Sequence, residues 1–579
     1  MTTFDRLISA ANAILWHDYV LFALLATGLL FTIWSRFCQY HALTHGVRVI
    51  RGAYDNPGDP GAINHFQALS AALSATVGLG NIGGVAIAIS LGGPGAVFWM
   101  WVVGFIGMAL KTTEVTLAML YRNIDDPGNP HGGSMWVIAK ALAHRSPRLA
   151  PLGRALGGLF CCTLLVMVIT GGNMFQAWNV GELTQSYFGV PSIFSGIVLA
   201  VLVALVIIGG IRRIGAVAGW LAPVMVTMYV LGALYVLALQ AAEIPGMFAL
   251  IFRGAFAPLE AQGAFIGGTM GYAFLYGLKR AFFSNEAGQG TSPIAHSAAR
   301  TAEPVREAVV AGLEPFIDTI VVCTMTALVI ISTGVWKRPA EAVLEPRPQL
   351  IETAAGEWTL PAMSAPSRDG ARWLGGESVF AIVEAGPNAA SGNELHRLQG
   401  TVSASADGAS ISWSSLASAT RPVLADDGLY VNYVGATLTA KAFDSVTPGL
   451  GQWLVTATVW LFALSTMISY SYYAEQGVVF LAGEKAVAPF KLLYCLLPLV
   501  ATAGFLRTDT QLDNLSGFGT ALMLWVNIPV MWCLGYQAMA AYRDYIARLK
   551  SGQFGQGHRA ETLAGLMHGD AGGTEKPER

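Results

Sequence analysis

An apolar segment near the start of the chain is interrupted by residues that could bind an ion or a polar ligand. Residues 66–90 are long enough to cross a bilayer, which takes about 20 apolar residues. Within them, residues 74–84 contain four glycines and Asn81. Glycine costs roughly 1 kcal/mol relative to alanine in a helix, and unsatisfied backbone groups are costly in lipid. Broken helices of this kind bind substrate and ions in secondary transporters. Close helix packing through small residues is the simpler alternative, but it does not require Asn81.

Two adjacent hydroxyl side chains, Ser465 and Thr466, lie within another apolar segment. Hard cations prefer oxygen ligands, so these hydroxyls could bind sodium together with carbonyls freed near Ser74 and Val77. Serine and threonine inside a helix also commonly bond to a carbonyl of the preceding turn. Both interpretations are open at this point.

A second glycine-interrupted segment covers residues 265–283, with glycines at 267, 268, 271 and 277 around Thr269. A broken helix in each half of a chain indicates an inverted-repeat transporter. We therefore expect the second repeat to open with a break in this segment.

Polar groups near this region suggest coupling or gating. Asp318 lies deep in an apolar run, and intramembrane carboxylates are usually functional. It could bind a cation, carry a proton or be a structural group. Residues 284–290, including Asn285 and Glu286, follow a basic pair, so we interpret them as a cytoplasmic helix-capping and gating loop. His296 is isolated in the sequence, which favours a structural role over metal binding.

Composition indicates a membrane protein. Hydrophobic residues make up 54% of the chain and charged residues 12%, which argues against a soluble enzyme. The formal net charge of -2 gives no reason to expect nucleic acid. The six cysteines have no CxxC or Cys/His spacing, so neither a metal site of that kind nor a disulfide framework is expected.

About eleven apolar runs read as membrane helices. They lie at 19–34, 66–90, 93–120, 155–186, 192–211, 215–241, 263–283, 307–335, 450–482, 487–506 and 515–542. The first has Asp18 before it and Arg36 after it, the wrong charge order for a cleaved signal peptide. Basic residues concentrate in alternate loops, which predicts an external N-terminus and a cytoplasmic C-terminus.

Residues 336–444 interrupt this pattern because they contain no membrane-length apolar run. Apolar and polar residues alternate at 378–383, 401–413 and 429–440, which predicts a small β-rich domain on the outside. A disordered loop is the alternative. The expected organisation has six parts. They are an N-terminal helix and loop (1–60), the first repeat (61–245), the start of the second repeat (246–335), the insert (336–444), the rest of the second repeat (445–550) and a disordered cytoplasmic tail (551–579).

Long motifs across the chain resemble the alanine or glycine:cation symporter family. They read FQALSAALSATVGLGNIGGVAIAISLGGPGAVFWMW (66–101), GGNMFQAWN (171–179), GGIRRIGAVA (209–218), RAFFSNEAGQGTSPIAHSAART (280–301), LEPFIDTIVVCT (313–324) and FALSTMISYSYYAEQ (462–476). The resemblance covers most of the chain except the insert and the tail. It implies an all-α polytopic fold with 5+5 inverted repeats, one extra N-terminal helix and symport of a small neutral amino acid with sodium or protons.

The resemblance also implies an ion site. The carbonyls of Ser74, Val77 and Phe462, with the hydroxyls of Ser465 and Thr466, would ligate sodium.

The substrate site is implied in the same way. The backbone N–H groups of Leu79 and Gly80 would face the substrate carboxylate, as a half-helix N-terminus favours an anion, with Asn81 beside them. Thr269 of the second break is expected to contribute.

Three further side chains are candidates for substrate selection. Asn173 and Gln176 lie one turn apart, so their amides could contact the substrate or join helices. Tyr470 lies one turn beyond Thr466 and could close over the substrate. Members resembling this chain often have tryptophan there, so the smaller ring puts a strict preference for alanine or glycine in doubt.

Other classes remain to be weighed against a symporter. A channel would usually build its filter by oligomeric symmetry, and paired breaks in one chain favour a transporter. No nucleophile–base or metal constellation points to an enzyme. A sensor with a transporter fold, or a transporter of a larger amino acid such as glutamine, is the alternative function. We expect a bacterial inner-membrane protein without an obligatory protein partner.

Overall fold

The computed structural model describes residues 3–128, 130–368, 373, 375–388, 392–405, 408–433, 435–504 and 509–554. From residue 555 onward, the tail predicted at 551–579 lies outside the described residues.

The chain is mostly helical. The helices of the first half are α1 Thr3–Leu15, α2 Asp18–Trp34, α3 Cys38–His41, α4 Val47–Ile50, α5 His65–Thr76, α6 Val85–Gly92, α7 Gly95–Tyr121, α8 Ser134–Arg145, α9 Ala150–Ile169, α10 Phe175–Phe188, α11 Ser192–Ile207, α12 Gly210–Leu239 and α13 Ile244–Phe256. Those of the second half are α14 Met270–Asn285, α15 Ser292–His296, α16 Pro304–Ala311, α17 Thr324–Thr333, α18 Ala436–Val446, α19 Thr456–Ala482, α20 Val487–Thr502 and α21 Asp509–Lys550.

Within the described ranges, seven helical segments are long and apolar enough to cross a membrane, and up to nine if each bent pair forms one span. These segments make the chain a multi-pass membrane protein. The larger count of about eleven and the 5+5 repeat remain predictions.

Short π-helical turns interrupt the helices at five places within the described residues. They lie at Ala42–Gly46, Gly80–Gly84, Thr170–Met174, Phe316–Cys323 and Gly451–Val455. Such turns are often found at functional sites, because the extra residue changes the direction of side chains and leaves backbone groups without their usual partners.

The predicted break at residues 265–283 is wrong in position. Thr269 caps the N-terminus of α14, and its hydroxyl accepts from the N–H of Tyr272 at 3.3 Å. Gly267 therefore precedes the helix, and Gly277 lies inside its uninterrupted length. A Cβ at Gly277 would approach the carbonyl oxygen of Ala96 to 2.5 Å, so this glycine permits close helix packing.

The chain instead leaves the helix after Asn285, where Glu286 takes a left-handed conformation with φ 56°. It re-enters a helix at α15, Ser292–His296. The second interruption therefore lies at residues 286–291.

The insert forms two antiparallel sheets. Its strands are β1 Ala342–Val343, β2 Ile351–Ala354, β3 Glu357–Thr359, β4 Met363–Ser364, β5 Ser378–Glu384, β6 Leu395–Ser405, β7 Gly408–Trp413, β8 Leu416–Ala417 and β9 Val423–Val431. The larger sheet has the order β1-β9-β5-β6-β7-β4, and the smaller has the order β2-β3-β8. Alternate residues of β5, such as Val379, Ala381 and Val383, point into one apolar core.

The strand predicted at 429–440 is wrong in its second half. β9 ends at Val431, and residues from Ala436 onward form helix α18. The hydroxyl of Thr439 donates to the carbonyl of Ile82 at 3.1 Å, so α18 packs against the first helix break. A helix was missed here because its short amphipathic pattern follows directly on a strand.

Candidate functional site

The first helix break is formed by three residues between α5 and the π-helical turn. Val77 caps α5 in an extended conformation, and the helices before and after the break are bent by 51°. The side-chain oxygen of Asn81 accepts from the N–H of Gly78 at 2.8 Å. This bond fixes the break and satisfies one backbone donor that the helix no longer pairs.

The predicted sodium ligands are brought together beside this break. The Ser465 hydroxyl lies 3.2 Å from the carbonyl oxygen of Ser74 and 3.1 Å from that of Phe462. Thr466 Oγ1 is buried and has no hydrogen-bond partner among the described residues. A Cβ at Gly78, the residue after Val77, would lie only 2.5 Å from that oxygen. Hydroxyls of α19 thus face the backbone of the break.

The predicted carboxylate donors, Leu79 and Gly80, follow Gly78 directly in the chain. The N–H of Leu79 donates to Gln176 Oε1 at 3.4 Å, a long contact. Gln176 is held from its other end, since its Nε2 donates to the carbonyl of Gly171 at 3.0 Å. A Cβ at Gly80 would lie 3.4 Å from Cα of Ser284. The first break therefore touches both α10 and the end of α14.

Tyr470 packs directly against the π-helical turn Thr170–Met174. A Cβ at Gly172 would approach Cγ of Tyr470 to 2.5 Å, so only glycine admits the ring here. The Tyr470 hydroxyl donates to the carboxylate of Glu286. Tyr470 therefore links α10 to the second interruption, a contact that the sequence did not indicate.

Asn173 and Gln176 do not act as one pair. Asn173 Nδ2 donates to the carbonyl of Tyr494 at 3.1 Å, toward α20 rather than toward the first break. Its Oδ1 is buried without a partner. The π-helical turn separates the directions of the two side chains, which a regular helix would have placed on one face.

Thr269 does not join the predicted substrate site. It lies at the opposite end of the 16-residue helix α14 from Ser284, a helix length of roughly 24 Å. A Cβ at Gly392 of the insert would lie 2.0 Å from its Cγ2. Thr269 is a helix cap beside the insert, and its expected substrate role remains a prediction.

Asp318 joins the first break to α14. Its Oδ1 accepts from Asn81 Nδ2 at 2.6 Å, and its Oδ2 accepts from the hydroxyls of Ser284 at 2.9 Å and Thr319 at 2.7 Å. Asn285 Nδ2 donates in turn to Thr319 Oγ1 at 3.1 Å. The carboxylate is therefore buried with three donors.

Residues 284–290, predicted to be a helix-capping and gating loop, are buried inside the protein. Asn285, Glu286 and Gln289 are completely buried, and so is nearly all of Arg280 from the basic pair that suggested a cytoplasmic position. The hydroxyl of Thr291 donates to Glu286 Oε2 at 2.5 Å. The segment is the second interruption of the core, held by side-chain bonds to its carboxylate.

Comparison with known proteins identifies the class. The profile of the Sodium:alanine symporter family matches residues 1–365 and 414–558. The "Sodium/alanine symporter AgcS" of Methanococcus maripaludis is 33% identical over 515 residues, covering 89% of this chain and 92% of that protein. The likeness extends into both ends of the insert, which is further than the motifs indicated.

Two Bacillus subtilis proteins are also similar. The "Putative sodium/proton-dependent alanine carrier protein YrbD" is 30% identical over 94% of this chain and 93% of its own length. The "Probable sodium/glutamine symporter GlnT" is 32% identical over 61% of this chain and 71% of its own length. A weaker structural likeness is to MhsT in complex with L-phenylalanine, with a TM-score of 0.46 and 13% identity over 89% of this chain and 96% of that chain.

The chain belongs to the sodium:alanine symporter family. It is a membrane-embedded, cation-coupled amino-acid symporter and not an enzyme.

Proposed function

We propose that this symporter binds sodium between the first break and α19. The ligands are the carbonyls of Ser74, Val77 and Phe462 and the hydroxyls of Ser465 and Thr466. The observation that supports this most strongly is the buried Thr466 oxygen without a partner. A threonine inside a helix normally bonds to the preceding turn, and a buried hydroxyl left unpaired costs about 1–3 kcal/mol. A bound cation would remove that cost.

The substrate is a small neutral amino acid such as alanine or glycine. Its carboxylate accepts from the N–H groups of Leu79 and Gly80, and it displaces the long contact of Gln176 Oε1 with Leu79. The amide oxygen already occupies the position that a carboxylate oxygen would take. Asn81 holds the break open, and Tyr470 borders the site from α19.

Transport follows alternating access in a 5+5 fold of about eleven spans. Basic residues between the apolar runs support an external N-terminus and a cytoplasmic C-terminus in a bacterial inner membrane. Asp318, Asn285 and Glu286 couple the two breaks, since the Asp318 carboxylate joins Asn81 to Ser284, which directly precedes Asn285 and Glu286. No obligatory protein partner is needed for this scheme.

Glutamine is the second candidate substrate. The similarity to a protein named as a sodium/glutamine symporter favours it, and tyrosine rather than tryptophan at 470 leaves room for a longer side chain. Competition of labelled alanine uptake by a panel of amino acids separates the two candidates.

The sodium site is tested by replacing Thr466 with valine, which keeps the shape and removes the hydroxyl. Sodium-dependent uptake into proteoliposomes is measured as a function of sodium concentration. Loss of one ligand is expected to raise the half-saturating concentration by about tenfold or more, equivalent to about 1.4 kcal/mol. Thr458→Val is the matched control, because Thr458 is a buried threonine of α19 that bonds to the carbonyl of Leu454 at 2.7 Å.

An unchanged sodium dependence in Thr466→Val would overturn the proposed ion site. Counterflow of labelled amino acid in the wild type separates a transporter from a sensor with the same fold, since a sensor would exchange no substrate.

A further inference from the structure

A continuous line of ionisable side chains is buried outside the proposed ion and substrate sites. Lys111 Nζ lies 3.1 Å from Glu314 Oε2, and His296 Nε2 lies 2.7 Å from Glu314 Oε1. The other ring nitrogen of His296 bonds to Glu307, whose second oxygen bonds to Nδ1 of His65. All five residues are at most 1% exposed. We call these five residues the histidine–glutamate chain.

One end of the histidine–glutamate chain approaches solvent. His65 Nε2 is buried and has no hydrogen-bond partner in the part of the chain that the structure describes. It lies 3.9 Å from Oδ1 of Asp55, whose side chain is 47% exposed. This gap is long for a direct hydrogen bond, and a water molecule could bridge it.

The other end approaches the candidate site. The hydroxyl of Ser292 donates to Glu314 Oε1 at 2.5 Å. Its neighbour Thr291 donates to Glu286, which also accepts from Tyr470. Consecutive hydroxyls therefore connect the histidine–glutamate chain to the tyrosine that packs on the π-helical turn of the substrate region.

The geometry at His296 fixes a proton count. Each of its ring nitrogens faces a carboxylate oxygen, and only the imidazolium form donates from both. The cations Lys111 and His296 then balance the anions Glu314 and Glu307. Loss of the His296 proton would leave an uncompensated charge in the interior, which is strongly unfavourable.

Other charged or titratable groups interact electrostatically with Glu314 or Glu307, the two partners of His296. Glu114 lies on α7, with one carboxylate oxygen bonded to Asn527 Nδ2 and the other without a partner. Arg122, just beyond α7, donates to the carbonyls of Ser297 and Ala299. Tyr473 on α19 and Glu286 complete the set. The buried acids favour retention of the proton, and Arg122 opposes it.

We propose that Glu307, His296 and Glu314 bind one proton that exchanges with solvent through His65, and that this exchange is linked to transport. On uptake, His65 Nε2 gains a proton while its Nδ1–H bond breaks and an O–H bond forms on Glu307. The Glu307 carboxyl group then rotates so that this O–H faces His296, and the O–H bond breaks as the Nδ1–H bond of His296 forms. Rotation of the His65 ring returns its N–H to Glu307 and restores their hydrogen bond. Release is the reverse, and the net change is one proton. The link to transport rests on the proposed symport function.

Proton movement is measured first on the wild type. Purified full-length protein in weakly buffered detergent solution receives alanine and sodium while a pH-sensitive dye reports proton uptake or release. Linkage predicts a change of up to about one proton per protein molecule. The same protein in proteoliposomes is expected to respond to pH on the side that contains Asp55, the cytoplasmic side in the proposed orientation. The absence of any proton change in the wild type would overturn the proposal without a variant.

His296→Gln is expected to abolish the proton change and flatten the pH profile of net uptake, while sodium-dependent counterflow persists. His65→Asn is expected to slow proton exchange and is the second variant if His296→Gln does not fold. His131→Asn is the control, because His131 bonds to Gln476 outside the histidine–glutamate chain. A purely structural ion-pair network would lower thermal stability in His296→Gln and leave the pH profile unchanged, which would contradict the proposal. Missing sodium-driven counterflow in the wild type would instead contradict the proposed function.

Discussion

The two interruptions of the core expose different chemistry. At the first break, neutral oxygens dominate, and the hydroxyl of Thr466 is buried without a protein partner. At the second, both oxygens of the Glu286 carboxylate accept hydrogen bonds, from Tyr470 and Thr291. The first break thus leaves oxygens available for a ligand. The second holds an ionisable group, Glu286, whose hydrogen bonds are supplied by the protein itself.

The backbones of the two interruptions also differ, in their conformational strain. The first break uses an extended Val77 followed by Gly78, with little conformational strain. The second places Glu286 at φ 56°, a region that residues with a Cβ avoid at a cost of roughly 1–2 kcal/mol. Hydrogen bonds to its side chain offset that cost. A conformation maintained by side-chain bonds can change when those bonds change, which suits a coupling element better than a rigid ion site.

The largest expected effect comes from filling the first break. A Cβ at Gly78 would lie 2.5 Å from Thr466 Oγ1, a distance that requires movement of the proposed ligand. Overpacking of this kind costs about 1–3 kcal/mol. Gly78→Ala should therefore raise the half-saturating sodium concentration for uptake by about 10- to 100-fold.

Gly80→Ala is the matched comparison, because a Cβ there would lie 3.4 Å from Cα of Ser284, which is ordinary contact. The half-saturating sodium concentration of Gly80→Ala should stay within about threefold of the wild-type value. Equal effects of the two alanines, in variants with equal amounts in the membrane, would contradict the position assigned to Thr466.

The contrast explains which parts of the site the sequence could reveal. The first break contains glycines and Asn81 in an apolar run, so composition alone located it. The second turns at Glu286, which is not a glycine, while the glycines at 267 and 277 that suggested a break serve a loop and close packing. The direction of Asn173 was likewise hidden, because a π-helical turn has no reliable sequence pattern.

The cluster of buried charged residues around His296 was the other feature that the sequence did not reveal. His296 looked isolated because Glu307 and Glu314 follow at distances that match no ligand motif, and His65 and Lys111 lie far away in the chain. Only tertiary packing brings them together. Basic residues near 279 and 280 also suggested a cytoplasmic loop, although Arg280 is almost completely buried.

An intermediate effect is expected from loosening the second interruption. Tyr470→Phe removes the hydroxyl that donates to Glu286 and leaves the ring on Gly172. Loss of a hydrogen bond to a buried charged group costs roughly 1.5–3 kcal/mol. If Glu286 couples the two breaks, maximal uptake rate should fall about tenfold or more, while the half-saturating sodium concentration is unchanged.

Tyr473→Phe provides the control for that variant. Tyr473 lies three residues further along α19, its ring is 5.4 Å from that of Tyr470, and its hydroxyl is buried without a partner. Removing this hydroxyl should leave the uptake rate nearly unchanged. A shift in sodium dependence with Tyr470→Phe would show that the two breaks do not have the separate roles proposed here.

The smallest effect on sodium-dependent uptake is expected from removing most of the insert. This change tests whether the separate roles of the two breaks depend on the insert. Val343 and Gly428 are strand partners in the β1–β9 pair. Residues 344–427 can therefore be replaced by Asn-Gly, a sequence that favours a two-residue hairpin turn. This change removes Arg397, which donates to the carbonyls of Ser90 and Ala264, and Asn393, which donates to that of Ile266.

Because these contacts lie near the end of α6 and in the loop before α14, and not at either break, sodium-dependent uptake should persist with at most about a threefold change in apparent substrate affinity. A longer replacement of residues 340–443 is the informative comparison. It also removes most of α18, whose Thr439 donates to Ile82 within the first π-helical turn, and whose start lies against Gly83. Uptake should then be lost, because a backbone carbonyl of the break loses its partner.

If both replacements abolished sodium-dependent uptake in correctly inserted protein, the sheets themselves would belong to the coupling mechanism. Activity in both would show that the first break keeps its geometry without α18.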